Sequence, residues 1–61
     1  MIFEKIAGMC EERGISIRKL EMETNLGNGT IAKWKDSSPR VDRLQKVADY
    51  FGVSLDELVR S

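Results

Sequence analysis

Asp56 and Glu57 stand side by side near one end of the chain, Cys10 is the lone cysteine near the other, and there is no histidine. Paired carboxylates can do acid–base chemistry, and a thiol can act as a nucleophile when a base lies beside it. Without histidine there is neither a Ser-His or Cys-His dyad nor a histidine-ligated metal site. The carboxylates have a simpler use. "SLDE", Ser54 to Glu57, is a capping box, in which serine and glutamate satisfy free N–H groups at a helix start. Cys10 sits among apolar neighbours and reads as a small buried hydrophobe. "GNG", Gly27 to Gly29, lacks the spacing and the lysine of a phosphate-cradling loop. The sequence gives an enzyme no support and requires no cofactor and no metal.

Charge is the chemistry that remains. Ten acidic and ten basic side chains cancel overall. They do not cancel locally. From Arg13 to Lys46 there are eight basic residues against Glu21, Glu23, Asp36 and Asp42, which gives +4. The remainder carries Lys5 and Arg60 against six acidic residues, which gives −4. Such a polarised molecule presents one basic half to an anionic partner.

Sixty-one residues allow one domain, residues 1–61. A chain this short buries roughly 60% of its unfolded surface, so nearly every apolar residue must join the core. A lone cysteine, no apolar run near the roughly 20 residues that span a bilayer, and no secretory signal predict a cytoplasmic chain without a membrane segment.

The elements follow from spacing. Ile2, Ile6 and Met9/Cys10 form one helical face, with Glu4, Lys5, Glu11 and Glu12 opposite, and Gly14 closes this helix in a left-handed cap. Ser16 caps a second helix, with Ile15 and Leu20 at staple spacing and Ile17, Leu20 and Thr24 inward; Asn25 stops it. Val41, Leu44, Val47/Ala48 and Phe51 mark a later helix, closed by Gly52. Val53 and Leu58 staple a last short helix that reaches Val59.

Between the second helix and Pro39 two signals compete. Asn28-Gly29 favours a tight hairpin turn, whereas Ile31 and Trp34 follow at helical spacing. A strand here would have no partner. The segment is therefore read as a third helix that starts at Gly27-Asn28 and runs to about Lys35 or Asp36, with Gly29 weakening it by about 1 kcal/mol relative to alanine. Trp34 shares a face with Ile31 and reads as core rather than as a base-stacking platform. The fold class is all-α, with five short helices.

Helices two and three, joined by "NLGN", make a helix-turn-helix over about residues 16–36. The ordered set Ser16, Leu20, the turn, Ile31, Trp34, Pro39, Leu44, Val47-Ala48 and "FGVSLDEL" resembles the Cro/C1-type, lambda-repressor-like domain of phage and bacterial repressors. The resemblance implies sequence-specific binding of double-stranded DNA, with the third helix in the major groove. The corresponding base-contact positions are Asn28, Gly29, Thr30, Ala32 and Lys33. Asn28 serves either as a cap or as a base contact. Phosphate contacts fall on Ser16, Arg18, Lys19, Lys35, Arg40 and Arg43.

Departures from the family pattern matter. Gly27 stands where the family has a serine cap, and Ile17 where it has a DNA-contacting glutamine. Glu21 replaces a small residue. Its carboxylate is expected to point at the start of the third helix and accept the free N–H groups there. One short helix reads few bases, so a homodimer on a palindromic site is expected. Tyr50, Leu55, Val59 and Phe3 are the candidate interface residues. The alternative is a protein-interaction module on the same scaffold, favoured by the neutral total charge and the sparse side chains of Gly27 to Gly29.

Overall fold

The computed structural model describes residues 2–60. Four α-helices and one 3-10 helix make up the regular structure: α1 Ile2–Arg13, α2 Ile17–Glu23, the 3-10 helix Ala32–Lys35, α3 Val41–Phe51 and α4 Leu55–Val59. No strand occurs among the described residues. Helix α1 is the hub. It packs against α2, the 3-10 helix and α4, and α4 in turn packs against α3.

Three helices end in the same way. At α1 the Gly14 N–H donates to the Glu11 carbonyl and the Ile15 N–H to the Cys10 carbonyl, at 3.1 and 3.0 Å. At α2 the Asn25 N–H donates to Met22 and the Leu26 N–H to Glu21, at 3.2 and 2.8 Å. At α3 the Gly52 N–H donates to Asp49 and the Val53 N–H to Ala48, at 3.2 and 3.0 Å. Each is a Schellman closure whose pivot is left-handed, at φ 72° for Gly14, 62° for Asn25 and 72° for Gly52. Asparagine tolerates that conformation better than other residues with a side chain. The three stops read from the sequence all form. Both serine caps form too: Ser16 Oγ accepts the Lys19 N–H and Ser54 Oγ the Glu57 N–H, each at 3.0 Å.

The core joins Ile6 and Cys10 of α1, Leu20 of α2, Ile31, Trp34, Val47, Phe51 and Leu58, all buried. Glu4, Lys5, Glu11 and Glu12 face solvent, as the periodicity of α1 predicts. Val41, read as the first residue of the inward face of α3, is instead 65% exposed. It opens the helix, one turn before Leu44, and nothing covers that turn.

The third helix differs from expectation. The Thr30 N–H donates to the Gly27 carbonyl at 3.1 Å, and Gly29 has φ 82°. Asn28 has no positive φ, so residues 27–30 form a turn of the type II pattern, with glycine at its third position. The hairpin turn favoured by Asn-Gly needs positive φ at both central residues and is excluded. Helical structure begins only after the turn and is 3-10 in character, with the Trp34 N–H on the Ile31 carbonyl at 3.0 Å. Gly29 therefore does not sit inside a helix. It supplies the one conformation that residues with a Cβ adopt at a cost.

Three predictions follow from this packing. Gly29→Ala lowers stability by about 1–2 kcal/mol, the left-handed penalty, in a denaturant titration, where a helical Gly29 would make the same change stabilising. Burial pushes the Cys10 thiol above its ordinary value of 9.0. The contribution of Cys10 to stability is therefore level below pH 9 and falls as pH rises past it, because only the unfolded chain gains by ionising that thiol. Alkylation of Cys10 at pH 8 is at least about tenfold slower in the native protein than in urea.

Candidate nucleic-acid interface

The segment from Gly27 to Lys35 is built on two apolar anchors. Ile31 is fully buried and Trp34 is 4% exposed, while Asn28, Ala32 and Lys33 lie exposed. A four-residue 3-10 helix has little stability of its own, so these anchors fix it to α1. Its far end is gathered at one oxygen. The Lys33 carbonyl accepts the N–H groups of Asp36 and Ser37 and the Ser37 hydroxyl, all at 3.1 Å.

The near end is held from α2. Glu21 is 2% exposed. Its Oε1 accepts the Gly29 N–H at 3.1 Å and its Oε2 accepts the Ile31 N–H at 2.9 Å. The role expected for Glu21 from the sequence is the one it has. Asn28 does not cap this segment. Arg18 Nη1 lies 3.6 Å from Glu21 Oε1 on the solvent side. A buried carboxylate is tolerable here because charge-assisted bonds replace its lost hydration.

The candidate contact residues divide into groups. Thr30 and Lys33 line one cleft of about 160 Å³ together with Ser37, Ser38, Arg40 and Arg43. Two candidate base-contact residues thus share a concave basic surface with two candidate phosphate-contact residues. Ser16, Arg18 and Lys19 are exposed at the start of α2, outside that cleft. Lys35 is elsewhere, its Nζ 4.8 Å from the centre of the Phe3 ring in a cation–π contact. Arg13, counted in the basic half, is also occupied. It donates to the Phe51 carbonyl at 3.1 Å and lies over the Phe51 ring at 4.9 Å. Nothing in the local sequence marks that contact, which spans 38 positions.

The candidate dimer residues are apolar positions that the core is expected to leave over. Phe3, Tyr50 and Leu55 are in fact partly buried against it. Val59 is 52% exposed and lines a cleft of about 390 Å³ with Ile2, Trp34 and Leu44. Met22 and Val41, 62% and 65% exposed, are more open than any of the four. Among the described residues no helix is long and apolar enough to cross a membrane.

Removing the Glu21 carboxylate strands the N–H groups of Gly29 and Ile31. Glu21→Ala is expected to lower stability by about 2 kcal/mol or more. For a chain of this length each 1 kcal/mol is about 4–8 °C in Tm, so calorimetry reads the change directly, and an unaltered Tm refutes the capping role.

No curated protein and no solved structure matches this chain. A protein family does match, over residues 5–60, a span that takes in the helix-turn-helix, Glu21 and the basic cleft. With that match on a helical fold of this kind, the chain belongs to the Cro/C1-type HTH DNA-binding domain family.

Proposed function

We propose that the chain is a repressor-like transcriptional regulator that binds double-stranded DNA sequence-specifically. The segment from Asn28 to Lys33 enters the major groove, and a homodimer spans two half-sites of a palindrome. The observation that carries this reading is the basic cleft shared by Thr30, Lys33, Arg40 and Arg43, beside a segment whose apolar side is buried and whose polar side is open.

Roles follow from chemistry. Lys33 reaches guanine O6 or N7, Asn28 pairs with adenine, and the Ala32 methyl meets a thymine methyl. Gly29 offers no side chain, and its N–H is taken by Glu21. Readout through this segment is sparse, so phosphate contacts supply much of the affinity and binding is steeply salt-dependent. Arg40 and Arg43 act from the cleft, and Ser16, Arg18 and Lys19 act from the start of α2. Lys35 joins them only by leaving the Phe3 ring. Val59 supports the dimer reading through its exposure.

Selection of bound duplexes from a random pool tests affinity and specificity together. On the selected duplex, Arg43→Ala weakens binding evenly across sequences and reduces the slope of log K against log salt by about one. Lys33→Ala costs about 1–3 kcal/mol and relaxes preference at one base position. A chain that fails to retard random duplex even at low salt overturns this reading in favour of the protein-interaction module.

A further inference from the structure

Glu21 is more than a stabilising cap. Glu21 is 2% exposed, and its two carboxylate oxygens accept the N–H groups of Gly29 and Ile31, on either side of Thr30. The residues between and beside these two N–H groups are the ones that face outward for readout. The turn they form has a left-handed pivot at Gly29, and glycine resists leaving any conformation least of all residues. The glycine pivot and the Thr30–Gly27 bond favour the turn, and Glu21 fixes it against the body of the protein.

We propose that Glu21 is a positioning residue for DNA recognition. From inside the protein its carboxylate sets where Asn28, Thr30 and Lys33 stand, and so governs discrimination between base sequences. This rests on the DNA-binding reading above. Glu21 does not touch DNA, because it is buried beneath the segment it holds. Its neighbour Arg18, 3.6 Å away and half exposed, offsets its charge on the solvent side.

The sign of the effect separates this role from simple electrostatics. Glu21→Gln removes one negative charge close to a surface that binds a polyanion. Charge alone then makes the variant bind every duplex as well as the parent or better. The positioning role gives the opposite result for the preferred duplex. A glutamine amide keeps the size of the side chain but turns one of its two acceptors into a donor, which meets a backbone N–H. One side of the turn is then released.

The experiment compares parent and Glu21→Gln on the duplex selected by the parent and on a scrambled duplex, at one salt concentration. It is run at a temperature where circular dichroism shows both proteins folded. The expected loss is at least about tenfold on the selected duplex, with the scrambled duplex within about threefold of the parent. Amide hydrogen exchange, which needs no DNA, is expected to quicken at Gly29 and Ile31 while Val47 in α3 stays protected. If Glu21→Gln does not fold, Glu21→Asp takes its place. It keeps the charge but is one methylene too short to reach both N–H groups, and it shows the same selective loss. A ratio of selected to scrambled affinity equal to the parent's overturns the positioning role and leaves the DNA-binding reading standing. A parent with no preference between duplexes overturns the DNA-binding reading, and this inference with it.

Discussion

A carboxylate removed from water must find donors, and backbone N–H groups at the start of a helical segment must find acceptors. In this chain the two requirements cancel at one place. Glu21 on α2 accepts the N–H groups of Gly29 and Ile31, eight and ten residues further on. Neither side could be buried alone at tolerable cost. The bond pair ties the two parts of the helix-turn-helix together through polar contacts, while Leu20, Leu26, Ile31 and Trp34 do so through apolar ones. The Glu21 main chain joins in as well, since its carbonyl accepts the Leu26 N–H that closes α2.

The significance of this bond shows against the other turns. The chain turns three times through nearly the same geometry, at Gly14-Ile15-Ser16, Asn25-Leu26-Gly27 and Gly52-Val53-Ser54. Each begins with a left-handed pivot and continues with an apolar residue that packs inward. In the first and third the next residue is a serine that caps the following helix three positions on. The middle turn has Gly27 in that place, with no side chain to offer. Its cap comes from elsewhere in the fold. Two of the three connections are thus specified by their own residues, and the third by tertiary contact.

That distinction also explains what could be read from the sequence. The left-handed stops at Gly14, Asn25 and Gly52 and the caps at Ser16 and Ser54 are local, and each is stated by a residue with a narrow conformational or hydrogen-bonding repertoire. Glu21 was legible through the resemblance: it stands where the family has a small residue and Gly27 where it has a serine cap, so an acid in a tight approach and an uncapped segment start point to each other. The helical type of residues 32–35 was not legible. Ile31 and Trp34 stand three apart, and that interval places two side chains on one face of an α-helix and of a 3-10 helix alike. Val41 misleads similarly, because its spacing to Leu44 is correct while nothing overlies the first turn of α3. Phe3, Tyr50 and Leu55 are left over from the helical faces, yet a small core covers its own margins with such residues. Within the candidate site, the joining of Lys33 with Arg40 and Arg43 depends on how the chain returns after Pro39, which no spacing rule contains.

An exposed face on so short a helical segment has a physical consequence for how this protein divides its sequence. Four residues of 3-10 helix do not order themselves, and the turn before them contains two glycines, Gly27 and Gly29. Order is imposed from beneath, by Ile31, by Trp34 and by the carboxylate of Glu21. The outward side chains of Asn28, Ala32 and Lys33 contribute little to that order, since they are exposed and the segment is anchored by its other side. Side chains that hold the segment and side chains that face solvent therefore belong to different residues, interleaved from Asn28 to Trp34, with Glu21 reaching in from α2. Such a separation lets the exposed set change its chemistry while the buried set keeps the geometry, which is the condition a scaffold must meet if one fold is to present many different surfaces.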